Sequence, residues 1–588
     1  MKHALALALT FFLAGATAGA QTAPTARPAK RAGVISGRLA DVAGQPIANA
    51  TVYTSAATAT RRETPRTTST DEQGRFRIAD LDRGVYYVWT IVPGYVMADE
   101  VVSRSIYRAG DTANFTVTKG GVITGTVMTP ANEPMTGCTL QAIRVRDKDG
   151  HPLASNRTAA LAQADDRGVY RLYGLSAGTY IVRASGKSLF AMENGVYQND
   201  VPTSYPSATR DTAQSVVVQA GEEVSGIDIR YRGERGHAVS GKILGPPAES
   251  ANLNYSLQLF NVASRAVEAQ TYTGTNFTGS SDGGFAFYGV PDGEYVIEAT
   301  INPFDAKQSG GAGRTRVKVK GADVTGAAVT VVPYGAITGT LMIEPPRGAD
   351  GQDKCEVKRR LLPNEMLVRA RAEKKAGELD LPPLAIQQSA PSDKGEFTVT
   401  NLEAGQYRVE AAMLGEDYFV RSITLPAPAK NQPPVDAARG PLAVKAGERL
   451  GNLSVTVAEG AAAVRGRVVS ATEGARLPDR LRVHLVPAEK EAAGDLLRFA
   501  EARAGADGTF MINNLAPGRY LIVARPMADD EPGEVAARPL AWDAAERAAL
   551  LKQAAANLSL ELQPCQRLID YVLKYTLPTP PPDRKKNQ

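Results

Sequence analysis

The chain has 588 residues, with 67 Lys and Arg against 62 Asp and Glu. This near-balance argues against nucleic acid as the main partner, because phosphate contact requires a basic patch or stripe. Beyond the N-terminus no run approaches the roughly 18 apolar residues of a membrane helix, so no membrane span is expected, and a prior of about 150 residues per domain suggests four or so domains.

Met1 to Ala20 carries Lys2 and His3, an apolar run from Ala4 to Ala14, and Ala18-Gly19-Ala20 before Gln21. This is the pattern of a secretory signal peptide cut after Ala20. The product is therefore expected to be exported, soluble, and either periplasmic or secreted. Residues 21–32 are rich in Pro, Ala and basic side chains and read as a disordered tether.

The rest is organised by one thirteen-residue pattern that occurs five times, beginning at Gly74, Gly168, Gly283, Gly395 and Gly508. Each copy runs Gly, any residue, aromatic, any, apolar, two spacers, Leu or Val, two spacers, Gly, any, Tyr. Ten residues always separate the ring pair: Phe76 and Tyr86, Tyr170 and Tyr180, Phe285 and Tyr295, Phe397 and Tyr407, Phe510 and Tyr520. Period-two alternation makes each copy two half-buried strands around a turn, with these rings in the core. The Leu-x-x-Gly unit predicts a type I turn closed by a left-handed Gly, so that the copy folds as a hairpin. Asp71, Asp165, Asp282, Asp393 and Asp507 precede the copies and read as turn formers rather than calcium ligands.

Each copy follows an opening strand with a central Gly, as in Val34-Ile-Ser-Gly37-Arg-Leu39, where a bulge or a close backbone approach fits. A closing strand follows Ala-Gly or Gly in the first four units, and Leu558–Leu562 takes that place in the fifth. The predicted fold class is all-β, five tandem antiparallel β-sandwiches with one short C-terminal helix. The boundaries are 33–118; 119–233 with an insertion at 187–214; 234–333; 334–459 with an insertion at 345–384; and 460–563 with a helix over 544–556. Residues 564–588 are left as a tail. Long loops on rigid sandwiches are where binding usually sits, which makes Tyr197 and Tyr205 candidates for a binding loop.

Cys138 reads as a buried small hydrophobe, while Cys355 and Cys565 are candidates for a disulfide whose pairing the sequence does not fix. After the signal, His151, His237 and His484 fall in three different units, and none has Glu three residues on. A catalytic zinc site needs about three convergent protein ligands. We therefore expect no metal, no cofactor and no catalytic residues. With Tyr86 and Val88 pointing inward, Tyr87 and Trp89 point outward. Arg183, Glu298 and Glu410 stand where Trp89 does in the next three units, which suggests a solvent-facing row. Tyr87 and Trp89 are thus the candidates for stacking on a ligand, with packing at a module interface as the alternative.

The opening strand with Gly, the Asp before Gly-x-aromatic, and Leu-x-x-Gly-x-Tyr resemble the carboxypeptidase regulatory-like domain. That resemblance covers nearly all of Gly33 to Leu562. It implies a prealbumin-like, carbohydrate-binding-like, seven-stranded Greek-key sandwich, found in tandem in exported bacterial proteins. In metallocarboxypeptidases this sandwich accompanies a separate zinc domain, whose ligand pattern is missing here. The function expected is a non-catalytic, exported scaffold presenting loops to a protein or glycan partner at the cell envelope. The alternatives are a dedicated carbohydrate-binding protein, a soluble partner of an outer-membrane receptor, or an enzyme with a site in the second unit's insertion.

Overall fold

The computed structural model describes residues 33–57, 64–98, 105–186, 197–245, 254–274, 283–301, 310–344, 355–357, 359–373, 387–427, 429–528, 539–557 and 559–576. The expected signal peptide and tether, Asp282, and parts of both insertions lie outside the described residues. So does the end of the chain from residue 577. The described residues form five two-sheet sandwiches and one α-helix, Ala544–Ala554. Among them no helix is long and apolar enough to cross a membrane. Each sandwich has its own apolar core.

In the first module the opening strand Gly33–Asp41 pairs with Arg75–Leu81, whereas Val85–Ile91 pairs with the middle strand Thr51–Ala56 in the other sheet. The two strands of the repeat therefore belong to different sheets, and the same holds in the other four modules. The expected hairpin is in fact an arch that carries the chain across the core. The physical reason lies in its side chains: Phe76, Leu81 and Tyr86 are all buried, so both arms face one interior instead of pairing edge to edge.

The left-handed residue is also displaced from where the pattern put it. The turn glycines Gly84, Gly178, Gly293 and Gly518 have φ between 142° and 159°. The compact left-handed conformation falls instead on Asp80, Gly174, Gly289, Asn401 and Asn514, one residue before the Leu or Val. There it makes a bulge against the opening strand, at Gly33/Ile35 in the first module. Asp, Gly and Asn are the residues that tolerate this conformation. The arch is then tied by its tyrosine, whose hydroxyl donates to the carbonyl four residues earlier. The acceptors are Asp82 (2.9 Å), Ser176 (2.5 Å), Pro291 (2.8 Å), Glu403 (2.9 Å) and Ala516 (2.7 Å). Phe would fill the same space but leave that buried carbonyl without its donor, which explains why the pattern ends on Tyr. Burial raises the phenol pKa of Tyr295, Tyr407 and Tyr520 to about 12, so these donors stay protonated.

The glycine of each opening strand marks where the closing strand arrives. A Cβ on Gly37, Gly125, Gly241, Gly339 or Gly466 would lie 1.7–2.1 Å from the carbonyl oxygen of Ala113, Ile227, Ala327, Leu453 or Tyr571. Opening and closing strands pair parallel in every module, which amends the antiparallel expectation at one place per sandwich. In the fifth module the strand beside Gly466 is Arg567–Tyr575. This corrects the boundary at 563: the supposed tail contributes a core strand, with Leu573 and Tyr575 buried. Ser559–Leu562 pairs instead with Gly518–Pro526 in the opposite sheet. The turn before the closing strand is what disguises it in the sequence. Gly110, Gly221, Gly321 and Gly447 hold a positive φ there, and in the fifth module the residue is Cys565, with φ 62°.

Two further expectations change. Met366–Ala372 is a middle strand of the fourth sandwich, with Met366, Leu367, Val368 and Ala370 buried, so the insertion at 345–384 contains part of the core. In the fourth repeat the turn former is Ser392, whose hydroxyl accepts from the amides of Lys394 (3.3 Å) and Glu396 (3.1 Å), not Asp393. Asp71 and Asp165 do accept from the amides two and four residues on, at 2.7–3.0 Å.

Candidate functional site: the outward row and the module junctions

Three residues after each arch tyrosine the side chain leaves the core on the outer face of its sheet. These five residues are Trp89, Arg183, Glu298, Glu410 and Val523. The solvent-facing row expected from their charge is largely covered, for Arg183 and Glu298 are 7% and 1% exposed. Each has a partner that brings it under cover. Arg183 pairs with Glu268 of the third module (3.1 Å), which also receives Arg210 (3.1 Å), and donates to the Val267 carbonyl (3.2 Å). Glu298 accepts from Arg314 Nε (2.7 Å), and Arg314 reaches on to Glu403 of the fourth module (2.8 Å). Glu410 faces Arg371 (3.4 Å), whose guanidinium lies 5.0 Å from the Trp542 ring of the fifth module, with Arg408 at 5.5 Å. Val523 packs beneath the helix with Val486, Leu550 and Ala554.

Trp89 stacks on Tyr53 of the adjacent strand, with ring centroids 5.5 Å apart and planes 10° from parallel, and both rings are half-buried. Tyr87 bonds to Gln388 of the fourth module. The first and fourth modules meet there through a small apolar cluster of Val85, Leu367 and Ala390, bordered by Asn364 donating to the Arg83 carbonyl (3.1 Å) and by Arg359 facing Asp111 (3.5 Å). Tyr87 is thus a junction residue, whereas Trp89 and Tyr53 form an aromatic pair that remains partly open.

The fourth and fifth modules share the most elaborate junction. Cys355 and Cys565 are joined by a disulfide, with Cα atoms 5.5 Å apart. Asn514, left-handed in its arch, donates to the carbonyls of Gly415 and Tyr418 (both 2.7 Å). Arg567 pairs with Glu416 (3.1 Å) and Asp417 (2.6 Å). A cleft of about 450 Å³ lies beside the disulfide, lined in part by Phe419, Arg421, Arg498 and Pro517. Arg498 stacks over Tyr520 at 4.6 Å and donates to the Pro517 carbonyl (3.1 Å).

Tyr197 and Tyr205, expected on a binding loop, pack against the second core. Tyr197 meets Tyr231 edge-on at 5.6 Å. After the cis Tyr205-Pro206 peptide the loop folds back over the closing strand, with the Arg230 amide donating to the Pro206 carbonyl (2.9 Å). Both rings thus line the edge of the second core, while Arg210 of the same loop reaches Glu268 of the third module (3.1 Å).

The histidines stay apart. His151 forms a cluster with Asp147 and Asp149 that has the composition of a cation site. Its groups are engaged in a turn of the Asp71 kind, however. Asp147 accepts from the amides of Asp149 (3.0 Å) and His151 (2.8 Å), and Lys148 neutralises Asp149 (2.7 Å). His237 sits near Asp292 (3.3 Å) and Asp323 (3.7 Å). His484 is buried, and desolvation, aided by Arg482 and Arg525, lowers its pKa to about 3. Its 3.4 Å approach to Glu501 is therefore made by a neutral ring. Burial raises the pKa of the free Cys138 thiol to about 12, which removes its nucleophilic form at neutral pH.

Fold and junctions together define a class of protein, a tandem array of small sandwiches docked through the outer faces of their sheets. More particularly, residues 34–120, the first module, match the family model of the carboxypeptidase regulatory-like domain. A comparison with curated proteins found no match. Among solved structures the chain is similar to the Bacillus anthracis TIE protein, at 12% identity over 83% of this chain and 71% of that one, TM-score 0.14. It is also similar to GBS52, the minor pilin of Streptococcus agalactiae, at 12% identity over 34% and 94%, TM-score 0.19. For the shaft pilin spaA of Lactobacillus rhamnosus GG the figures are 12%, 34% and 96%, TM-score 0.16. At these scores the likenesses carry no functional argument.

Proposed function

We propose that the chain is a non-catalytic, exported scaffold whose docked sandwiches present a composite surface to a protein or glycan partner at the cell envelope. The observation that supports this most directly is the outward row. The outward position three residues after the arch tyrosine is used at three junctions to set one module against the next. Such an arrangement fixes the spacing of loops over several modules, which a binding surface needs. Crosslinking in the native envelope followed by affinity capture tests it. Recovery of a reproducible envelope partner supports the reading, and turnover of a peptide or glycan by the purified chain sinks it.

A dedicated carbohydrate-binding role is the second reading, supported by the half-open Tyr53 and Trp89 stack. Saturable polysaccharide binding that is lost in Trp89→Ala, with an unchanged melting curve, would select it.

A further inference from the structure

The five modules differ in how they treat the outer edge of the closing strand. In the first, Tyr95–Met97 pairs antiparallel along that edge, and in the fourth Tyr418–Leu425 does the same. In the second, Pro206 and Ser207 lie over it, the Ser207 hydroxyl donating to the Arg230 carbonyl (2.8 Å). In the third, Gly311–Val319 crosses its end, Ala312 pairing with Val332. Two modules thus pair that edge with a strand from the segment that follows the second arch strand, and two cover only part of it, Val324–Thr330 of the third bonding within its own sheet to the opening strand alone. In the fifth that segment instead leads to the helix Ala544–Ala554, which packs on the opposite sheet. Among the described strands Arg567–Tyr575 therefore pairs only with the opening strand. It is also the closing strand with exposed branched apolar side chains, Ile569 at 65% and Val572 at 58%. A nine-residue open edge of this kind is a template for another strand.

We propose that this edge pairs with the same edge of a second copy of the chain, joining two fifth modules through one continuous sheet. The strand's charges suit a two-fold antiparallel pairing centred on Val572. That register sets Val572 opposite its own mate, Asp570 opposite Lys574 in both directions, and Tyr571 opposite Leu573 along the inner face. Asp570, Val572 and Lys574 are all exposed. Cross-strand apolar and opposite-charge pairs each stabilise such a ladder, and an isologous contact closes at two copies, so the product is a dimer and not a fibre.

Sedimentation equilibrium of the full chain at tens of micromolar tests this. A reversible dimer is expected. Val572→Lys, which sets two ammonium groups face to face at an exposed position, should give a monomer with an unchanged melting curve. Lys574→Glu should weaken the dimer about tenfold. Adding Asp570→Asn should restore part of that loss, and Asn fits the left-handed backbone because Asn452 occupies the matching place in the fourth module. A wild-type chain that stays monomeric overturns the proposal, whether residues 577–588 or a foreign strand fill the slot. A dimer that survives Val572→Lys overturns it too, by placing the interface elsewhere.

Discussion

The inside of the arch and the outer face three residues further on follow opposite rules. Inside, five tyrosines do one job with one geometry, each hydroxyl bound to the carbonyl four residues back. Outside, five positions carry Trp, Arg, Glu, Glu and Val, and the five surroundings differ. The interior sets what a module is, and in the second, third and fourth modules the outward residue takes part in the contact with the next one. Repetition of a sequence motif therefore says little about assembly, because assembly is encoded where the repeat is silent.

The largest expected effect lies in the interior. Tyr407→Ala removes a buried ring and should cost about 3–5 kcal/mol, enough to unfold the fourth module alone; a separate early transition in calorimetry would register it. Tyr407→Phe keeps the ring and should cost only about 1 kcal/mol, the net worth of its hydrogen bond. If the two variants proved equally damaging, the hydroxyl rather than the ring would hold the arch.

On the outer face, Glu268→Ala strands Arg183 in a buried position and should weaken docking of the second module on the third by roughly 3 kcal/mol. Faster proteolysis around residues 231–236, with each module's own transition unmoved, would distinguish a junction defect from a folding defect. Replacing Arg183 and Glu268 together by Met and Leu should recover most of that loss.

A smaller effect follows from His484. Its pKa is lowered in the folded state, so below the ordinary value of 6.5 the unfolded chain binds the extra proton and the folded chain does not. Stability of the fifth module should thus be fully present above that value and fall as the pH drops from 6.5 towards about 3. His484→Leu should flatten this slope, as read from melting temperature against pH.

Much of the fold could be read from the pattern: the module count, the strands of the repeat and the ten core rings. What escaped had a physical reason in each case. The spacer before Leu81 looked uninformative, yet the set Asp80, Gly174, Gly289, Asn401 and Asn514 contains only residues that accept a left-handed backbone, and it locates the bulge. The fifth closing strand carries no such mark, because Cys565 stands where the other modules have Gly. Alternation showed that Trp89 and Arg183 leave the core, but which surface covers them depends on how modules dock, and periodicity within one module holds no record of that. The junction of the first module with the fourth, some 280 residues apart at Arg83 and Asn364, was beyond local reading for the same reason.

The disulfide has a mechanical consequence. Tension applied between the chain ends enters the fourth module through its opening strand, reaches Cys355, and passes straight to Cys565 and the closing strand of the fifth. The intervening stretch, a separation of 210 residues, is left out of the load path. Most of two sandwiches would ride slack while the other three bear the pull, and reducing that single covalent link would add about 700 Å of extensible chain.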